Sequence, residues 1–136
     1  MKVAVSATDM SLDAQVDPRF GRCQYFVIVD IDTMAFEAIP NTAGGAMGGA
    51  GVQAAQIVAS KGVQAVISGN VGPNAYQVLS SAGVRIMIGA FGTVRQAVES
   101  FKNGQLQEAS GPTGGGMGRG MGRGMGRGMG RGRGGF

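Results

Sequence analysis

The hydrophobic period of this chain first changes near Gly51, from successive strands to alternating helix and strand, and that change limits the possible folds more than any single motif does. Before it, residues 2–6, 24–31 and 34–39 are runs of strand length, apolar, β-branched or aromatic, the last two joined by a tight Asp32-Thr33 turn. They predict an antiparallel meander. After it, Val52, Ala55, Ile57, Val58 and Ala59 recur with helical spacing up to a terminating Gly62. Residues 63–68 then read as a fourth strand and 73–82 as a helix with Pro73 in its first turn and Gly83 past its end. A fifth strand is expected at 84–88, and a last helix at 93–102, capped by Thr93 and stopped near Gly104. Residues 7–16 read as a polar loop.

In a βββαβαβα order, right-handed crossovers set strands one, four and five side by side and parallel. The expected architecture is a mixed α/β fold in three layers, α/β/α, around a five-stranded sheet of order 3-2-1-4-5 in which only strand two is antiparallel. That order resembles the ribonuclease-H-like arrangement. Strand direction then locates a site: the loops 7–22, 40–50, 69–72 and 89–92 all open on one edge, at the carboxyl ends of the parallel strands. Open α/β sheets bind ligands there, and three helices begin at this edge with backbone N–H groups suited to an anion.

Composition bounds the function. At 136 residues the chain fits one domain, residues 1–110, followed by a Gly/Met/Arg-rich tail, residues 111–136. The first part carries seven Lys/Arg against eight Asp/Glu; the tail carries five Arg and no acid. The basicity therefore belongs to the tail, which argues against a basic nucleic-acid-binding domain. No run of about 18 apolar residues exists for a membrane span, and Met1-Lys2-Val3-Ala4-Val5 enters a strand in place of a signal peptide, so a cytoplasmic protein is expected. One cysteine and no histidine exclude an internal disulfide and the usual His/Cys zinc sites.

The segment Asp17-Pro18-Arg19-Phe20-Gly21-Arg22-Cys23 places two cations and the single thiol in a turn shaped by Pro18 and Gly21. Two readings stand for Arg19 and Arg22: solvated partners of Asp13 or Asp17, or donors presented to a ligand. Cys23 is either inert packing or a soft-metal ligand whose pKa the arginines lower. Gly44 to Gly51 precedes a helix but lacks the Gly-Lys-Ser/Thr ending of a phosphate loop. Gly49-x-Gly51-x-x-Ala54 meets the relaxed dinucleotide pattern, yet Gly69 and Asn70 stand where its acid should be, so no nucleotide is expected. A two-metal nuclease would need carboxylates around the central strand, and strand one has none. With no histidine and no carboxylate cluster, an enzyme is the least supported class.

Fourteen of the 26 tail residues are glycine, and Met-Gly-Arg-Gly repeats start at Met117, Met121, Met125 and Met129. Such a segment pays a high ordering entropy with no core to offset it, so a disordered tail is expected. Its arginines suit anions and its thioethers suit Cu(I); RNA is a weaker alternative, because base stacking would rest on Phe136 alone.

Taken together, the first strand, the Asp17–Phe26 segment, the Asn41-Thr42-Ala43 to Gly51 loop and Gly69-Asn70-Val71-Gly72-Pro73-Asn74-Ala75 resemble the dinitrogenase iron-molybdenum cofactor biosynthesis family over residues 1 to about 108. This family includes NifX-like carriers, the C-terminal domain of NifB and the orange protein. The resemblance implies a ribonuclease-H-like fold that binds or transfers an anionic metal-sulfur cluster of Mo-Fe-S or Mo-Cu-S type, and cofactor-assembly or acceptor proteins as partners. Carried onto this chain, its family-like positions are Arg19, Phe20, Gly21, Arg22, Gly49, Gly51, Asn70, Gly72 and Asn74, with Cys23 as an auxiliary metal ligand. The chain lacks the histidine that some carriers use. The alternative is a regulatory or interaction module with an anion- or RNA-binding tail.

Overall fold

A computed structural model of the protein describes residues 1–43 and 49–112. The expectations for the tail beyond Pro112, and for the centre of the glycine-rich loop, lie outside those residues. Strand β1 (Lys2–Ala7) is central and pairs antiparallel with β2 (Tyr25–Asp30), which pairs antiparallel with β3 (Phe36–Pro40). Helix α1 (Ala50–Ala59) leads to β4 (Ala65–Ile67), and α2 (Pro73–Ser81) leads to β5 (Arg85–Ile88), both strands running parallel to β1. Helix α3 (Val94–Lys102) and a short β6 (Gln107–Glu108) complete the described chain.

The sheet therefore has six strands in the order β3-β2-β1-β4-β5-β6, not five, and β6 is antiparallel like β2. The five expected strands keep their order and directions. The sixth is two exposed residues on the edge, held through Ile88 and Met87, and a strand that short carries no alternation to read.

Alternation in β1 and β2 sends side chains to two cores. On one face Ala4, Phe26, Ile28, Val66 and Ile86 pack against Ala54, Ala55 and Val58 of α1 and Ala75 and Leu79 of α2. On the other, Val3, Val5, Val27, Val29 and Ile67 meet Val94, Ala97 and Val98 of α3. Burial of each Val, Leu or Ile contributes about 1.5–3 kcal/mol. The second core also holds Leu12, Ala14 and Val16. Residues 7–16 are thus not simply a polar loop: their alternate residues are buried and shape the layer beside α3. The β2–β3 connection is also wider than a two-residue turn, because Met34 adopts φ 63° and Asp30 N–H donates to Ala35 O at 2.8 Å. β3 accordingly starts at Phe36.

Candidate anion-binding cleft

Beyond the end of β1, the chain from Asp17 to Cys23 is fastened from below. Ser6 Oγ donates to Asp17 O at 2.6 Å and lies 2.9 Å from Ser68 Oγ, both hydroxyls being buried. Asn70 N–H donates to Pro18 O at 2.8 Å, so the loop after β4 runs alongside the first loop in a parallel bridge between Arg19 and Asn70. Gly69 makes this approach possible: a Cβ there would lie 2.8 Å from Pro18 Cα, a contact that backbone cannot accept. Phe20 anchors the loop by burying its ring 5.1 Å from that of Phe26.

The same close packing joins the loop to two helices. A Cβ on Gly21 would come 3.2 Å from Gly51 Cα, and one on Gly51 would meet Ala75 at 3.5 Å. The first loop, the start of α1 and the start of α2 therefore converge around a cleft of about 300 Å³. Six of the sequence-selected residues line it: Gly21, Arg22, Gly49, Gly51, Gly72 and Asn74. Neither α1 nor α2 receives a side-chain cap, since glycine occupies both N-cap positions and Pro73 opens α2. First-turn N–H groups without a capping side chain, at the positive ends of two helix dipoles, make this an anion-binding arrangement.

The third helix differs from the expectation. The Thr93 hydroxyl accepts from Gln96 N–H, and the Gln96 side chain accepts from Thr93 N–H, a complete capping box. Val94 and Arg95 N–H donate to Ala14 O and Leu12 O at 2.9 and 2.8 Å. The N terminus of α3 is therefore occupied by the chain itself, and the loop at 89–92 takes no part in the cleft. Cavities of about 330 and 390 Å³ beside Phe91 and Leu106 are larger, but among the described residues no cation lines either, Glu99 lines the first, and both lie along the side of α3, which they share at Ser100.

The remaining selected residues separate. Arg19 is 67 % exposed on its side chain and forks onto the buried Asp17 carboxylate, with Nε and Nη2 at 3.2 and 3.1 Å from its two oxygens. This hydrogen-bonded pairing raises the arginine pKa and realises the Asp17-partner reading. Phe20 is core, and Asn70 contributes its backbone to the loop bridge while its side chain is exposed. Cys23 is 1 % exposed and does not line the cleft. Burial, and then the nearby Asp17 charge, push its thiol up to about 12, which agrees with the packing reading and not with a thiol lowered by the arginines. Among the described residues no group of three or more His, Cys, Asp or Glu gathers to hold a metal ion, and no helix is long and apolar enough to cross a membrane. Asn41, Ser6 and Ser68 are not among the sequence-selected site residues; Asn41 and Ser6 hydrogen-bond backbone far along the chain and Ser68 Oγ meets Ser6 Oγ, pairings that leave no local pattern.

The family model for the dinitrogenase iron-molybdenum cofactor matches residues 1–104. The chain belongs to this family. Its fold is similar to the apo form of the orange protein from Desulfovibrio gigas, at 43 % identity and TM-score 0.81, covering 83 % of this chain and 96 % of that one. It is also similar to a NifB candidate from Thermotoga, at 36 % identity and TM-score 0.74, covering 85 % and 98 % of the two chains. An uncharacterised protein of Methanocaldococcus jannaschii is 32 % identical over 112 residues, 79 % of this chain and 95 % of that one. Residues 105–136 lie beyond the family match.

Proposed function

We propose that the cleft binds or carries an anionic metal-sulfur cofactor or its precursor, of Mo-Fe-S or Mo-Cu-S type, and that the protein acts as a carrier and not as a catalyst. The observation that carries this reading is the meeting of two helix N termini without side-chain caps in one glycine-lined cleft with Arg22 at its wall. Family membership and the likeness to the orange protein support the class of cargo. The donor set fits an anion that brings its own sulfide ligands: backbone N–H groups and a guanidinium grip outer atoms, and glycines leave room for them. It does not fit direct coordination by the protein, since the thiol is buried and does not line the cleft, and histidine is absent.

In this reading the first turns of α1 and α2 orient the cargo, Arg22 adds charge and two-pronged hydrogen bonding, and Arg19, restrained by Asp17, supplies an outer cation. Asn70 and Phe20 hold the loops in place, and Cys23 packs beneath them. The natural partners are proteins that assemble or accept the cofactor. Mixing the protein with tetrathiomolybdate and Cu(I) should yield a complex with charge-transfer absorption that survives gel filtration. Replacing Arg19 and Arg22 together by alanine should abolish that retention; full retention by the double variant refutes the site.

A further inference from the structure

We propose that Asn41 is a positioning residue that aims Arg22 into the cleft, an inference that rests on the cleft being the cargo site. Asn41 directly follows β3 and is 8 % exposed. Its side-chain Nδ2 donates to Gly21 O at 3.2 Å and to Cys23 O at 2.9 Å, the two carbonyls on either side of Arg22. A primary amide has two N–H hydrogens, and here they serve the Gly21–Arg22 and Cys23–Gln24 peptides, with Cys23 Sγ 3.8 Å from the same nitrogen. The acceptor end is also engaged, by Ala43 N–H at 3.2 Å, and Asn41 N–H donates to Gln24 O at 2.9 Å.

The consequence is geometric. Two peptide planes pinned to a single side-chain nitrogen bracket the Arg22–Cys23 segment and limit how far it can turn, which restricts the direction in which the Arg22 Cα–Cβ bond leaves the chain. The clamp is reinforced on each side, by the tight approach of Gly21 to Gly51 and by the burial of Cys23. Only glutamine shares this donor set, on a stem one methylene longer; aspartate has the shape without the donors, and serine has one donor for two carbonyls. Asn41 touches no cargo in this scheme. It also ties the arginine loop to the segment that directly follows β3.

The test is a double-mutant cycle on the full chain, titrating tetrathiomolybdate alone at low and high salt. Arg22→Ala should weaken binding about tenfold, as expected for loss of a charge-assisted hydrogen bond, and flatten the salt dependence. Asn41→Ala should weaken binding by a similar factor and flatten the salt dependence equally, yet cost less than about twofold when Arg22 is already alanine. Asn41→Ser, with one carbonyl still served, should fall between, and keeps the cycle measurable should the alanine variant not fold. Equal losses in both Arg22 backgrounds, or an unchanged salt slope, would overturn the positioning role while leaving the carrier reading intact. Failure of the unsubstituted protein to bind overturns the carrier reading and the positioning role with it.

Discussion

Helices α2 and α3 are each nine residues long and begin on the same edge of the same sheet, yet one end is open and the other is shut. Their dipoles are equivalent. At α3, a threonine hydroxyl and two carbonyls from residues 12 and 14 consume the first-turn donors; at α2, glycine and proline occupy the corresponding positions and no side chain closes the end. A helix N terminus becomes an anion site only where the chain leaves it unfilled. The open pair, α1 and α2, is also where glycines bring backbones together, while the closed end of α3 is sealed by an alternating segment that belongs to the core.

The most damaging way to break this comparison is to push the open side apart. Gly69→Ala would set a Cβ against the backbone of Pro18, and overpacking of this kind costs about 1–3 kcal/mol. Thermal denaturation should show a drop of several degrees, with thiomolybdate binding lost in parallel. If binding persists unchanged, the bridge between the loops at Pro18 and Asn70 does not shape the cleft.

The thiol beneath the open side gives a pH test. The Cys23 pKa rises from 9.0 to about 12 on folding, so the neutral form is favoured in the native state. The sign follows: this contribution is fully present below pH 9 and is lost as pH rises toward 12, by at most about 1.4 kcal/mol per pH unit. The measurement is the difference in unfolding free energy between the protein and Cys23→Ala across that window, in which contributions common to both cancel. The difference should shrink as the pH rises; a flat difference means the thiol is not shielded as its burial indicates.

Thr93→Ala probes the closed end. Losing the cap should cost about 1 kcal/mol in denaturant unfolding, while thiomolybdate affinity stays unchanged because α3 is not part of the cleft. The smallest change is the reciprocal one. Gly72 has extended backbone and open space around its Cβ position, so Gly72→Ser can offer α2 the cap it lacks. Stability should rise by a few tenths of a kcal/mol, and cargo affinity should fall severalfold, read by the same titration. Unchanged affinity would mean that the end of α2 contributes nothing to the grip.

Much of this was legible in one dimension. The change of period near Gly51 and the Pro/Gly punctuation at Pro73, Gly83 and Gly104 reproduce the order of eight elements, and Thr93 is the cap it was read to be. Six of the ten selected site residues share the cleft. Residues 7–16 were misjudged although Leu12, Ala14 and Val16 alternate with Ser11, Asp13 and Gln15, because small and polar residues dilute that signal. β6 offered no signal of its own. Arg19 and Arg22 look equivalent in sequence, but Asp17 is buried two residues before one of them and claims it.

By itself the sequence determined the elements, their order and, through strand direction, the edge on which the loops meet, because hydrophobic period and crossover handedness are local properties of an L-chain. Only the tertiary structure decided which helix ends on that edge stay open, which arginine faces the cleft, and that Cys23 is sealed beneath it. Those outcomes depend on carbonyls and amides brought together from distant positions, as Leu12 O is to Arg95 N–H and Asn41 to the backbone around Arg22, and on the burial of the Asp17 carboxylate. Such partners share no sequence pattern, and folding alone sets them within hydrogen-bond reach.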